Sequence, residues 1–284
     1  MGTGEPLIRN ISDTARWVAF YRALETDRPD ALFRDPHARR LAGARGESIA
    51  AAISFGNKNL WSFVARTLLF DEMIAARVAQ GADLIVNLAA GLDTRPYRLA
   101  LPRALQWVEV DLPEILDHKE AMLHGEQPAC TLERIRLDLA DLAARRELFQ
   151  QLGRRGSKVV VVSEGLTIYL EEDAVAALAR DLAAVPSFAH WILDLSSPGL
   201  LRMLKKKMGR HLDAAGAPLK FAPAQGADYF RAHGWQPVEV HSLLKTAARL
   251  KRLPFFLRLI ARFPEPNGPP GQRPWGGVCL LAHG

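Results

Sequence analysis

LIVNLAAGLDTR (84–95) is the stretch on which the fold turns. Residues 84–89 form an apolar run of the length of a buried strand, and Gly91 follows where the chain must turn. The same cadence returns in QWVEVD (106–111), ERIRLD (133–138), KVVVVSE (158–164) and HWILDLS (190–196), with helix-length segments between them. Strands alternating with helices predict a parallel sheet joined by right-handed crossovers. PVEVHSL (237–243) and GGVCLLAH (276–283) supply two further strands, the last expected to pair antiparallel as a terminal hairpin. The expectation is an α/β fold with a doubly wound, mostly parallel seven-stranded sheet.

Upstream, residues 1–80 read as a helical cap. Ser12 and Asp13 offer N-caps for a helix to Thr26, with Trp17, Phe20, Tyr21 and Leu24 on one face. DRPD (27–30) is a turn, and Asp35-Pro36 reads as a cap with a first-turn proline. Asn57 or Asn59 starts a longer helix to Gln80, stopped at Gly81. The core then runs over 81–284, with insertions expected near 197–230 and 244–273. The second carries the basic, apolar KTAARLKRLPFFLRLIARF (245–263) and leads into the loop PEPNGPPGQRPWGG (264–277). No internal repeat is visible.

The 284 residues are 49% hydrophobic and 24% charged, which excludes wholesale disorder. Two cysteines, Cys130 and Cys279, exclude a disulfide framework or a Cys-rich zinc cluster and suit a reducing compartment. The histidines lack metal-ligand spacing, so no metal site is predicted. No run of about 18 uncharged apolar residues could span a membrane. MGTGEPLIRN lacks the apolar core of a signal peptide, and Pro6 sits where a myristoylation signal wants Ser or Thr. A cytoplasmic protein is expected. The net charge of +6 is uneven: residues 202–262 hold thirteen Lys/Arg against three acids, a local +10 that leaves about −4 elsewhere. Such a region would face an anionic partner, whether nucleic acid, an acidic small molecule or an acidic carrier protein.

In a doubly wound sheet, ligands sit beyond the carboxyl ends of the strands near the switch point. After the first strand, Gly91 lets backbone approach a ligand. After the second comes Asp111, twenty residues beyond Gly91, the spacing at which a carboxylate takes both hydroxyls of an adenosine ribose. The third leads to Asp138-Leu139, an acid able to accept from an adenine amino group, and the fourth to Glu164-Gly165. Each has a plain structural reading as well: Gly91 ends a strand, and Asp111 and Asp138 cap the helices that follow. Four in succession on one sheet edge describe an adenosine pocket. A dinucleotide site requires G-x-G-x-x-G, but Ala89-Ala90-Gly91-Leu92-Asp93-Thr94 lacks the first and third glycines. Asp93 would also repel a pyrophosphate. S-adenosylmethionine, a sulfonium cation without phosphate, suits this acidic loop better than NAD.

VNLAAGLDTRPYRL (86–99), WVEVDLPEILDHK (107–119), LDL (137–139) and SEGLTIYL (163–170) follow in an order that resembles the leucine carboxyl methyltransferase superfamily. ARWVAFYRALETDRPDALFRDPHARRLAG (15–43) and RTLLFDEMI (66–74) are similar to its bacterial branch, and the likeness covers roughly residues 12–185. The resemblance implies a Rossmann-like class I methyltransferase that uses S-adenosylmethionine on a carboxylate or hydroxyl oxygen. By motif, Arg66 would pair with the methionine carboxylate of the cofactor, with Ala89, Ala90 and Gly91 beside its amino-acid part. Asp111 and Leu112 would lie at the ribose, Asp138 and Leu139 at adenine, and Glu164 and Gly165 near the ammonium group. Tyr169 would stand close to the substrate, with Arg22 a second anion contact. Ala89 departs from the family's frequent glycine-alanine-glycine. Alanine is costly at positive φ, so Ala89 predicts an ordinary strand conformation.

A carboxylate acceptor is ionised at pH 7 and needs no general base, so positioning is the main catalytic task. A phenol or alcohol needs deprotonation, for which eight histidines offer candidates. The expected activity is methyl-ester formation on an acidic small molecule, free or carrier-bound. Its alternative is hydroxyl methylation of a phenolic or polyketide-like metabolite of secondary metabolism. Three rivals stand beside it. Val161-Val162-Ser163-Glu164-Gly165 keeps the serine and last glycine of a hydrolase nucleophile elbow but not the first glycine. A nucleic-acid methyltransferase would use the basic region, although no D/N-P-P-Y/F motif or RNA-binding module is present. The third is a catalytically inactive adenosine-binding protein. LKRLPFFLRLIARF (250–263) reads as a cap broken at Pro254, with Phe255, Phe256, Leu259 and Ile260 packed on the core or lining the pocket. Its other reading is a basic lid for an anionic substrate, carrier or membrane. RMLKKKMGR (202–210) is a solvated helix face near the pocket mouth, and Trp191 is core.

Overall fold

The computed structural model describes residues 8, 11–53, 56, 59–265 and 268–284. Pro6 and the opening stretch, Asn57 as a helix start, and Pro266 and Asn267 of the predicted loop lie outside the described residues. Seven strands form one sheet in the order β3-β2-β1-β4-β5-β7-β6. They are β1 (Leu84–Leu88), β2 (Gln106–Asp111), β3 (Thr131–Arg136), β4 (Val159–Ser163), β5 (Phe188–Ser196), β6 (Trp235–Ser242) and β7 (Gly276–His283). The first five pair in parallel, while β7 runs antiparallel to both β5 and β6. β7 is therefore more than the second arm of a hairpin: it is inserted between two earlier strands.

Period-two alternation explains both faces of the sheet. Leu84, Val86 and Leu88 of β1, with Val159 and Val161 of β4, point to one side. There they meet Leu148, Phe149 and Leu152 of one helix (Leu142–Gly153) and Val175, Leu178 and Leu182 of another (Glu172–Ala183). Ile85, Val160 and Val162 point to the other side, onto Leu69, Phe70, Met73 and Ile74 of the helix Leu60–Ala79. β1 and β4 are buried along their whole length, which is why their sequences read as unbroken apolar runs. Edge strands β3 and β6 alternate with solvent instead, and β6 absorbs Pro237 at a register shift.

Among the described residues, the helices α1 (Ile11–Thr26), α2 (Ala38–Ala52) and α3 (Leu60–Ala79) precede the sheet. Their caps differ from expectation. Ser12 and Asp13 lie within the first turn of α1, and Asp13 pairs with Arg45 at 3.0 Å. The N-cap of α2 is His37, while Asp35 is buried as the counterion of Arg22, 2.8 Å away. Asn59 takes the N-cap position of α3 without a side-chain cap bond. Trp17, Phe20 and Tyr21 share a cluster with Ile115 and Leu116 after β2, and with Met208 and Leu212 of the helix Pro198–Ala214. The cap thus covers the carboxyl ends of the central strands.

β1 continues to β2 on one side and, later in the chain, is flanked by β4 on the other. That reversal of winding opens a crevice above its carboxyl end.

Candidate active site

A cavity of about 1210 Å³ occupies that crevice. Arg22, Arg66, Ala89, Ala90, Gly91, Asp111, Leu112, Asp138, Leu139, Glu164, Gly165 and Tyr169 all line it. The structure brings together every residue singled out from the sequence, drawn from α1, α3 and the ends of β1 to β4.

The loop after β1 is pinned to β2 at two points. Ala90 N–H donates to the Val110 carbonyl at 3.3 Å, and Gly91 N–H donates to Asp111 Oδ2 at 2.6 Å. Reaching both from the end of β1 puts Ala89 at φ +51° and Gly91 at φ +49°. The expectation of an ordinary strand conformation at Ala89 is corrected: the pins outweigh the left-handed cost for alanine, of order 1 kcal/mol. Ala89→Gly removes that strain but gives the unfolded chain more freedom, which offsets part of the gain. A net rise in Tm of about 1–2 °C is expected in thermal melts. A lower Tm would mean that the alanine methyl contributes packing that exceeds the strain.

Asp111 Oδ1 also accepts the Leu112 N–H at 2.8 Å. Both oxygens keep a lone pair facing the cavity, so the carboxylate can still take two hydroxyls. Neither Asp111 nor Asp138 caps the following helix through its N-cap position, which Leu112 and Asp141 occupy. Asp138 Oδ1 accepts the Ala140 amide at 2.9 Å, and the Leu139 carbonyl accepts from Arg145 at 2.9 Å.

An ionic cluster lies between β1, β4 and β5. Glu164 sits 3.0 Å from Arg66 and 2.9 Å from Arg95. Arg66 reaches Asp194 at 3.2 Å, and Arg95 also holds Asp93 at 2.8 Å and Asp71 at 2.7 Å. Burial pushes the Glu164 carboxyl up, but Arg95 and Arg66 outweigh it and hold it below the ordinary range. Burial raises Asp194 despite Arg66 and the Gly165 amide, and it raises Asp111 despite the Gly91 and Leu112 amides. Tyr169 is likewise raised by burial, against its hydrogen bond with Thr14 and the nearby Arg66. Counting Asp71 with its second partner Arg98, the remaining two guanidiniums and three carboxylates leave this floor one charge negative.

A model of the leucine carboxyl methyltransferase family matches residues 15–183. The chain belongs to the leucine carboxyl methyltransferase family. A "Putative S-adenosyl-L-methionine-dependent methyltransferase" of Streptomyces coelicolor is 33% identical over 258 residues, covering 84% of this chain and 87% of that protein. A similarly described protein of Frankia alni is 32% identical over 263 residues, covering 84% and 88%. The crystal structure of a duf574 family protein from Streptomyces avermitilis shares the fold, with a TM-score of 0.61 over 95% of this chain and 97% of that one, at 13% identity.

Within this family member, two assignments need restating. Arg66 lines the cavity but is held by two acids of the protein, its Nε 3.0 Å from Glu164 and its Nη1 donating to Asp194 at 3.2 Å. Arg22 gives Nε to Asp35 and Nη2 to the Leu92 carbonyl at 2.5 Å, tying α1 to the loop after β1. Arg95 and Asp194 were not singled out from the sequence. Their signal was the arginine that ends GLDTR and the acid within the strand HWILDLS, a polar residue at a strand end like the other four.

Two rivals lose their footing here. Ser163 is buried and accepts the Trp191 indole N–H at 2.9 Å, so it is no exposed nucleophile. The basic stretch does not converge on the cavity: of its thirteen cations only Lys207 lines it. Arg252 pairs with Glu25 at 2.9 Å, Lys220 with Glu171 at 3.0 Å, and Lys245 donates to the carbonyls of Ala261 and Phe263. The segment around Pro254 is corrected in part. It forms short helices at Leu243–Arg249 and Phe255–Ile260, and Phe256 and Ile260 line the cavity mouth. Phe255, Phe256, Leu259 and Ile260 are nonetheless exposed and do not pack on the core. Trp191 is buried, as expected. Among the described residues no cluster could hold a metal ion, and no helix is long and apolar enough to cross a membrane.

Proposed function

We propose that this chain is an S-adenosylmethionine-dependent O-methyltransferase that esterifies a carboxylate on a small molecule. It uses S-adenosylmethionine. The residues fit that cofactor, whose ammonium, sulfonium and carboxylate sum to one positive charge against a floor that is one charge negative. Arg66, at the cavity wall, takes the cofactor carboxylate, and Glu164 lies beside its ammonium. Asp111 accepts from the ribose hydroxyls, and Asp138 and Leu139 bound the adenine.

When bound, the cofactor supplies an electrophilic methyl carbon on a sulfonium. An ionised carboxylate oxygen would accept that methyl, the electron pair of the carbon–sulfur bond staying on sulfur, and would ask no general base of the chain. No proton moves. The chain's part is alignment: Tyr169, held by Thr14, stands between the ionic floor and the rest of the cavity and orients the acceptor oxygen. The observation that carries the carboxylate over the hydroxyl is that none of the eight histidines lines the cavity, so the usual general base for a phenol is missing there.

Calorimetry with S-adenosylmethionine and with NAD tests the cofactor: saturable binding of the first only is expected. Methyl-labelled cofactor and a panel of acids and phenols test the target, because an ester releases methanol in mild alkali and an aryl ether does not. Alkali-stable product from phenols alone would overturn the carboxylate reading.

Acidification provides a further check. Matching the cation needs Asp194 ionised, and burial lifts it above the ordinary aspartate value of 3.8. S-adenosylmethionine affinity is therefore expected to weaken on acidification from above that value. S-adenosylhomocysteine, without the sulfonium charge, should weaken less. Parallel losses for both ligands would argue against the charge match.

A further inference from the structure

We propose that the part of the cavity away from the strand ends takes an elongated, apolar, single-headed acid, a medium- or long-chain acyl carboxylate. The inference rests on the methyl-transfer reading and names its acceptor class.

The cavity, at about 1210 Å³, exceeds the roughly 300–1,000 Å³ that houses one drug-sized ligand, so a second molecule fits beside the cofactor. Charge and apolar surface are segregated within it. The acids Asp111, Glu164 and Asp194 come from the strands and their ends, whereas the helices contribute Phe63, Met203, Leu204, Met208 and Leu212, with the neutral Ser12, Asn59 and Ser62 among them. Such a lining offers a sugar or a peptide few hydrogen-bond partners.

The cations argue against a polyanion. Arg22, Arg66, Arg95 and Arg145 line the cavity, and each is already paired with a carboxylate of the protein. Lys207 is the lining cation without an ion pair among the described residues, and it is exposed at the rim. A diacid or a nucleotide would bury its second anion without a counterion, at high cost. One carboxylate lies directly against the sulfonium and gains its local attraction, which a second, remote anion would not share.

The mouth extends the same chemistry outward. Phe256, 63% exposed, and Ile260, 54% exposed, line it from the helix Phe255–Ile260, with exposed Phe255, Leu259 and Phe263 in the same segment. Apolar surface thus runs from solvent to the inner wall. A chain longer than the cavity can keep its tail on that surface while its head reaches Tyr169.

Trp17, Trp61 and Trp275 line the cavity and serve as reporters. Wild-type protein saturated with sinefungin, an unreactive analogue that carries an ammonium-bearing carbon in place of the methyl sulfonium, is titrated with butanoate, octanoate, dodecanoate and hexanedioate, all below micellar concentrations, and tryptophan fluorescence is read. Dodecanoate is expected to bind at least tenfold more tightly than octanoate, and octanoate at least tenfold more tightly than butanoate, with hexanedioate no better than butanoate. Affinity that is flat with chain length, or that favours hexanedioate, overturns the proposal. Leu204→Asp should weaken dodecanoate at least tenfold, with the S-adenosylhomocysteine isotherm reporting that the variant is folded. Wild-type affinity in that variant also overturns it. Should neither sinefungin nor S-adenosylhomocysteine bind, the methyl-transfer reading falls; should they bind while the acids show no dependence on chain length, the acyl proposal alone falls.

Discussion

Arg95→Met is expected to cost about 3–5 kcal/mol of folding stability, read as a fall in Tm of roughly 10 °C, and to abolish cofactor binding. The guanidinium is buried and holds Asp71, Asp93 and Glu164 at 2.7–2.9 Å, and it donates to the Thr67 carbonyl at 3.3 Å. Asp71 keeps Arg98 and Glu164 keeps Arg66 when it is removed. Asp93 does not fare so well, because it is left with the Asn87 amide and the backbone N–H of residue 95. A buried carboxylate without its cation must take up a proton or open the floor of the site to water. Urea denaturation and calorimetry on the same preparation check both halves. A variant that melts like the wild type would show the cluster to be replaceable by apolar packing, as some buried ion pairs are. Arg95→Lys should recover little, since a point charge cannot fork among three carboxylates. The sign of the pH dependence follows from the same cluster. The Asp93 and Glu164 carboxyls lie below their ordinary range, so their pairs add stability above that range and lose it as the pH falls through the folded values. That acid-labile part should shrink in Arg95→Met.

Asp111→Ala is expected to weaken S-adenosylmethionine by 100-fold or more while leaving the fold largely intact. Hydrogen bonds to a charged acceptor contribute about 1.5–3 kcal/mol each, and the ribose loses two. The variant also frees the Gly91 and Leu112 amides, which border the cavity and can turn to water. Calorimetry reads the affinity, and a thermal melt separates lost contact from lost structure. Wild-type affinity in Asp111→Ala would remove the adenosine pocket from this sheet edge.

What could be read from the sequence follows the range of each interaction. QWVEVD and GGVCLLAH match β2 and β7 residue for residue, because a strand buried on one or both faces writes its own pattern locally. The switch point then gives the strand-end residues, which is why Gly91, Asp111, Asp138 and Glu164 meet in one cavity. Contacts closed over long stretches were not legible. Arg66 and Asp194 are 128 residues apart, and Arg22 and Leu92 are 70 apart. Each depends on packing that no local spacing encodes. Asp35 carried the signature of a helix cap; its Oδ1 does accept the His37 N–H at 3.2 Å, but His37 takes the N-cap position and Oδ2 is claimed by Arg22 and Thr94. Ala89 failed in the same way, its preferred φ overridden by two hydrogen bonds to the neighbouring strand. Helix Phe255–Ile260 meets one half of its reading, since Phe256 and Ile260 line the cavity, but not the packing on the core. Its apolar spacing suits a packed face, but the residues that would cover that face are absent among those described.

The insertion of β7 between β5 and β6 has a consequence for synthesis. Residues 235–242 leave the ribosome with no strand to pair with, and β5 keeps an open edge beside its buried Leu193 and Leu195. Both wait for residues 276–283. At about 5–20 residues per second, that wait lasts a few seconds. For that interval the nascent chain carries an apolar strand with one open edge and a second strand with no partner, the kind of edges on which chains aggregate. Trp275 and Gly276, which close one wall of the cavity, arrive with the same late strand. The parallel half of the sheet can form first, but the site is complete only when the strand threaded through its far side is in place.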